Sequence, residues 1–573
     1  MARDLSWSDA PQVVHHPYDI GLSTLQPLMT PSRFSFALIV APLLALPCSA
    51  QSSGSRITAA EIDGHLRFLS SDLLEGRGPA TRGGKLAAEY IASQMRGFGL
   101  EPGGDKGGWF QMVPIDIVAA DGATMRVAAT GKATATLRYP EDVVVSAGSA
   151  VEQSRANGEL VFVGYGAAAP EYKWDDFKGV DVKGKILLVL VNDPPATASE
   201  PALFGGKAMT YYGRWTYKYE EAERRGAAGI LIVHTTERAG YPWHTVVGSW
   251  ARDQRLLPRA AGMPAPMGAR GWITDSAATA LLKQAGLTMA DLRKRAESRD
   301  FRPVSTGINI DMSFHNSVAH LQSENVVGIV RGRDPQLKDE YVALTAHWDH
   351  LGIGPKVNGD SIYNGAEDNA SGVADMLAVA RAAADSPRPK RSLLFIFVTA
   401  EESGLLGSEY FAEHPTVSAD RILGNVNVDG GNLLGVSRDL NVLGQNKSTL
   451  GAMLGQMVAK QGMRLTPEAH PENGSFYRSD HFSFAKAGIP AVSIGSGTDY
   501  VGRDKDWGVK QDENYTDNRY HQPSDEYRAD FDLRGAVQLA DIVRRFAEQL
   551  ANGSSIPAWS ADAEFKRKGK PLS

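Results

Sequence analysis

Residues 341–349 read YVALTAHWD: an apolar run from Tyr341 to Ala346, followed at once by His347 and Asp349. A short continuous apolar run bounded by polar residues is the pattern of a strand buried on both faces. The pattern recurs twice downstream. Leu393–Val398 leads into Thr399-Ala400-Glu401-Glu402, and Asn425–Val428 leads into Asp429-Gly430. Helical stretches, Gly372–Ala384 and Leu405–Ala412, separate these runs. Such alternation predicts an α/β fold, a mixed, mostly parallel sheet flanked by helices. Ligands gather beyond the carboxyl ends of the strands in sheets of this kind. The three runs therefore deliver His347, the pair Glu401 and Glu402, and Asp429 to one edge.

Two more polar segments join that edge. Asn364–Asn369 (NGAEDN) precedes the helix that starts at Gly372, and Tyr520–Asp525 (YHQPSD) precedes the last long helix, Leu533–Leu550. Nitrogen and carboxylate donors without a thiolate suit Zn²⁺, and less often Mn²⁺ or Co²⁺. Two His and several carboxylates are enough for two cations, provided a carboxylate lies between them. Neighbouring Glu401 and Glu402 point in different directions, so one can coordinate while the other stays free as a base. Asp349, two residues beyond His347, is placed to accept an imidazole N–H and fix its tautomer.

Further out, Ile62, Leu66 and Leu69 share a helical face, and Leu86, Tyr90, Ile91 and Met95 make another. Residues 110–150 alternate like strands. The stretch 151–310 reads as a separate unit, with buried strands at Leu160–Val163, Ile186–Val191 and Ala228–Val233 and a charged helix at Tyr217–Arg225. His234 and His244 in that unit read as surface or internally satisfied histidines. Strands at Asn325–Val330 and Ile489–Ile494 and a helix carrying Leu450, Met453, Leu454, Met457 and Val458 complete the second half. The tail from Ser554 is polar and basic and reads as solvated.

The chain has 573 residues, 43% hydrophobic and 22% charged, with a net charge of -6. That charge argues against a nucleic-acid partner. The single cysteine, Cys48, excludes a disulfide framework and a thiolate metal cluster. It follows the apolar run Phe34–Leu46 and precedes Ser49-Ala50, which together read as a signal peptide cleaved near Ala50. The run is too short for a transmembrane span. The polar residues before Met29 read as an over-extended start. A lipid anchor on Cys48 is the rival reading, which Pro47 disfavours. Loss of the leader would leave a cysteine-free periplasmic or secreted protein.

The motifs together resemble the M28, aminopeptidase Y-like family of co-catalytic zinc peptidases. The matching pieces are Ala346–His350, Glu367–Gly372, Ala400–Ser408, Asn427–Gly430, Ser479–Phe482 and Tyr520–Asp525, with His65–Leu69 and Leu74–Arg77 resembling the start of larger members. The resemblance implies a zinc exopeptidase-like fold with an inserted β-rich protease-associated (PA) domain at 151–310. The remaining divisions are a leader at 1–50, the N-terminal part of the peptidase domain at 56–150, its metal-bearing part at 311–553 and the tail at 554–573.

It also implies two Zn²⁺ per chain and peptide substrates. Asp368 would bridge the ions, His347 and Asp429 would complete one site, and Glu402 and His521 the other. Glu401 would be the general base, Asp349 would orient His347, Asp525 would do the same for His521, and Tyr520 would help polarise the substrate carbonyl. A non-proline cis bond is expected at Asp368-Asn369. His481 is expected to support the pocket, and His350, His414 and His470 are read as surface or loop residues.

The expected function is an exported zinc-dependent exopeptidase, an aminopeptidase first. The alternatives are a non-catalytic transferrin-receptor-like binding protein, glutaminyl cyclase-like acyl transfer, and a carboxypeptidase. For the last, Arg478, Arg503, Lys505 and Arg519 are the candidate cations for a terminal carboxylate.

Overall fold

The computed structural model describes residues 57–259 and 262–567. The leader, Met29 and Cys48 lie outside them.

Six strands position the site: β1 (Phe110–Ala120), β2 (Val304–Val330), β3 (Tyr341–His347), β4 (Ser392–Val398), β5 (Ile422–Asn427) and β6 (Ala491–Ser496). The order across the sheet is β1-β2-β4-β3-β5-β6. The last four, β4-β3-β5-β6, run parallel, while β1 and β2 pair antiparallel, as do β2 and β4. β3 and β4 are buried at every residue. This explains their unbroken apolar runs, because a parallel sheet is covered on both faces.

Five helices cover one face: Ala59–Leu69, Arg82–Gly97, Gly372–Ala384, Thr449–Ala459 and Arg534–Asn552. The helix Gly372–Ala384 lies deepest, with only Arg381 and Ala384 not fully buried. Leu406–Glu413 and His481–Lys486 pack on the other face around Phe411, Phe482 and Phe484. The result is a three-layer helix–sheet–helix sandwich. Its parallel strands all point their carboxyl ends at one edge.

β2 decides how the rest is attached. Its C-terminal half pairs with β1 and β4, and its N-terminal half, Val304–His315, pairs with Gln153–Phe162 and Arg126–Thr130 in a second sheet. That sheet continues through Ile186–Leu190, Gly229–His234 and Ala269–Thr274 to Val143–Ser146. A boundary at 310 therefore falls inside a continuous strand. The second sheet also recruits strands that precede 151. The sequence hid this because β2 keeps an extended pattern throughout, with no turn to mark the passage from one sheet to the other.

One local reading sharpens and one changes. The charged helix, Trp215–Arg224, buries one of its charges, since Lys218 is 2% exposed. Its ammonium donates to the carbonyls of Tyr165 and Asn192. The described part of the tail, 554–567, is docked in part rather than wholly solvated. Ala563 and Phe565 are buried, and Glu564 accepts hydrogen bonds from Lys447 Nζ (2.8 Å) and the Tyr477 hydroxyl (2.6 Å). Its basic composition concealed an apolar pair that only the folded surface could receive.

Candidate metal centre

Three adjacent parallel strands end at the site. β3 ends in His347, β4 runs on through Thr399 and Ala400 to Glu401 and Glu402, and β5 runs on through Val428 to Asp429. The turn after β4 is tight, with Ala400 at φ 54° and Leu405 at φ 66°. The Glu401 carbonyl accepts the N–H groups of Gly404 (2.8 Å) and Leu405 (2.9 Å), which fixes the turn. His521 is also left-handed, at φ 58°. Such backbone costs about 1–3 kcal/mol per residue and persists where the surroundings impose it.

Asp368 lies at the middle. Its Oδ1 is 3.2 Å from His347 Nε2, and its Oδ2 is 3.3 Å from His521 Nε2. On one side, His347 Nε2 is also 3.1 Å from Asp429 Oδ1. On the other, His521 Nε2 is 3.0 Å from Glu402 Oε2, and His350 Nδ1 is 2.7 Å from Glu402 Oε1. Two donor groups result, His347/Asp368/Asp429 and His350/Asp368/Glu402, each with one atom per residue within 4.8 Å of the others. His521 reaches the second group through Glu402 and Asp368. The donors are imidazole nitrogens and carboxylate oxygens without sulfur, a set that fits Zn²⁺ and related divalent ions.

The electrostatics of the site are dominated by acids. Burial pushes Asp368 up, yet the imidazoles of His347 and His521 outweigh it and hold the carboxyl well below its ordinary range. Burial alone would lower His521, but Glu402 and Asp368 pull it up to about 10. Burial raises Glu401 well above the carboxylate range against the pull of His347. The Glu401 carboxylate has no hydrogen bond or ion pair among the described residues, in contrast to Glu402.

Two orienting contacts differ from expectation. His347 Nδ1 lies 3.2 Å from the main-chain oxygen of Asp349, whereas the Asp349 carboxylate is 3.8 Å away. That carboxylate instead accepts the Glu401 N–H at 3.1 Å. The turn after β3 folds back so that residue 349 offers its backbone to the ring and its side chain to the next strand's turn. Asp525 does not orient His521. It accepts the backbone N–H groups of Glu367 (2.9 Å) and Asp368 (3.1 Å), so it holds the central carboxylate's main chain.

The Asp368-Asn369 bond is cis. The Asn369 amide donates to Val428 O (3.0 Å) and accepts from Gly430 N (2.9 Å), tying this turn to the Asp429 turn. Tyr520 stacks on His521 with ring centres 3.9 Å apart and is 47% exposed. His481 is fully buried, its ring edge-on to Phe476. Arg519 lies 3.7 Å from Glu367, and Arg503 lies over the Trp507 ring.

The sequence reading missed His350. It is fully buried rather than superficial. Its only signal in the chain was its place one residue past Asp349. Asp480 was also given no role, although it is completely buried in the field of His347 and Asp429.

Residues 325–547 match the family model described as Peptidase family M28. That segment, 223 of the 573 residues, is similar to the M28 peptidases. A probable leucine aminopeptidase 2 from Aspergillus oryzae is 32% identical over 22% of this chain and 23% of its own. Aminopeptidase YwaD from Bacillus subtilis is 37% identical over 16% of this chain and 18% of its own. The probable lipoprotein aminopeptidase LpqL from Mycobacterium tuberculosis is 27% identical over 38% and 44%. The chain thus covers less than half the length of each of these curated relatives. Among solved structures, an aminopeptidase from Aneurinibacillus sp. strain AM-1 aligns over 90% of this chain and 99% of its own, at 20% identity and a TM-score of 0.47. The matched M28 segment contains every donor residue described above.

Proposed function

We propose that this chain is an exported, zinc-dependent aminopeptidase that hydrolyses peptide bonds with Glu401 as general base. The observation that carries the reading is the pair of donor groups sharing Asp368, with the unbonded Glu401 carboxylate beside them. His347, Asp368 and Asp429 would hold one ion, and Asp368, Glu402 and His521 the other, with His350 steadying Glu402. Two divalent ions in such a site supply Lewis acidity toward carbonyl and water oxygens.

The chain's own groups do the rest. Glu401 takes the proton of the attacking water and returns it to the leaving amine. Asp349 holds the Glu401 main chain through the 3.1 Å bond. Tyr520 on the exposed side of His521 is the residue assigned to the substrate carbonyl. No covalent intermediate is required, and the sequence carries neither a GxSxG elbow nor an HExxH helix.

A full donor set argues against a non-catalytic, receptor-like role. The second sheet, built from parts of 126–315, is read as the PA-like unit beside the peptidase domain. The leader supports export. The test compares a peptide with a free amino end and an amidated carboxyl end against one with a blocked amino end and a free carboxyl end. Cleavage of the first alone supports the aminopeptidase reading. Cleavage of the second alone assigns a carboxypeptidase.

A further inference from the structure

Arg77 is 1% exposed, and no acid lies within ion-pair distance of it among the described residues. A buried guanidinium without a carboxylate partner is costly unless its donors are satisfied. Here main-chain oxygens satisfy them. Nε donates to Trp348 O (2.8 Å), Nη2 to Gly365 O (2.9 Å), and Nη1 to the carbonyls of Leu69 and Asn364. The Arg77 carbonyl lies 3.4 Å from the His350 N–H.

The identity of the acceptors matters. Trp348 sits between His347 and Asp349, and His350 follows. Asn364 and Gly365 open the turn that carries Asp368. The segment bearing Arg77 is shaped to deliver the side chain there. Glu75, Gly76 and Arg77 are left-handed in succession, at φ 50°, 68° and 50°. A Cβ on Gly76 would lie 2.5 Å from Tyr363 O and 2.6 Å from Gly352 O. The segment is thus pressed against the hairpin Gly352–Val357/Asp360–Tyr363, which links the two turns.

We propose that Arg77 is a positioning residue for the metal centre. Its planar guanidinium clamps the 347–350 turn to the 364–369 turn and so fixes His347, His350 and Asp368 relative to one another. The inference rests on the metal reading of the site. Only arginine serves, because its five donors form a rigid fork, whereas lysine offers a single point charge. The permanent charge also faces the acids of the site, as the attraction from Asp525, Asp349, Asp368 and Glu402 indicates.

The test is titration of the metal-free protein with Co²⁺, read from its visible absorption, in the parent, Arg77→Lys and Arg391→Lys. Arg391 is equally buried and pairs with Glu340 at 2.6 Å, away from the site, so it controls for lost stability. The expected result is an affinity about 10–100-fold weaker, with an altered band shape, in Arg77→Lys, as for other groups that orient metal ligands. Arg391→Lys is expected to keep the parental affinity and spectrum.

Should Arg77→Lys not fold, the exposed Asp72 provides a second variant. Asp72 accepts the Asn364 side-chain amide at 2.8 Å, a lesser tie to the same turn. Asp72→Ala is expected to weaken Co²⁺ binding by a smaller factor. Parental affinity and spectrum in Arg77→Lys overturn the inference, and so does parental affinity in Asp72→Ala where Arg77→Lys is not obtained. A parent that takes up no Co²⁺ overturns the metal reading itself.

Discussion

The Asp525 carboxylate accepts the Asp368 main-chain N–H at 3.1 Å and the Glu367 N–H at 2.9 Å. The residue at the centre of the site is thus held by its backbone from a segment more than a hundred residues away. Hydrogen bonds to a buried charged group are worth about 1.5–3 kcal/mol, and removing the acceptor strands the donors. Asp525→Ala is expected to lower stability by about that amount in denaturant unfolding and to weaken zinc binding. Asp525→Asn keeps one acceptor oxygen and is expected to lose less of both.

His350 is expected to matter as much as a residue in direct contact with the ions. Its Nδ1 lies 2.7 Å from Glu402 Oε1, opposite the oxygen that faces His521. Groups that steady a ligand in this way typically contribute about 10–100-fold in metal affinity. Competition with a chromogenic chelator is expected to show that loss in His350→Ala. His470→Ala, at an exposed residue paired among the described residues only with Glu472, is expected to bind as the parent does.

Asp375 lies fully buried in the helix Gly372–Ala384, and neither carboxylate oxygen has a hydrogen-bond partner among the described residues. Burial raises its carboxyl well above the ordinary value. The folded state therefore holds the proton to higher pH than the unfolded chain does. This weakens folding progressively as pH rises from about 4 toward the folded value. Asp375→Ala is expected to stabilise the protein by about 1–3 kcal/mol at neutral pH. The gain is expected to shrink as pH is lowered to about 4, which melting curves at the two pH values would show.

The docked tail makes a prediction for truncation. Removing 554–573 would expose the surface under Phe565 and Trp559 and leave Lys447 without Glu564. Loss of one large buried aromatic alone costs about 3–5 kcal/mol in a core. A clear drop in the melting temperature is expected, with metal stoichiometry unchanged because neither donor group draws on the described tail residues, 554–567.

Some of this was legible in the sequence. β3 and β4 are so uniformly apolar that their ends, and the His347 and Glu401–Glu402 that follow, can be placed from the amino-acid pattern alone. Parallel order then brings Asp429 alongside. Other features depend on where chains meet in space. Nothing local in YHQPSD tells whether Asp525 faces an imidazole or two main-chain N–H groups. His350 looks like any loop histidine until Glu402 arrives from another strand. β2 conceals a change of sheet because an extended pattern is the same in either. Arg77 acts through main-chain oxygens, which carry no signature in side-chain sequence.

The most direct measurement is zinc content and turnover of an aminoacyl-nitroanilide, made side by side on the parent and Glu401→Gln. The account predicts about two zinc ions per chain in both proteins, and a turnover about 10²–10⁴-fold lower in the variant. A parent that turns over without zinc, or a variant as fast as the parent, would contradict it.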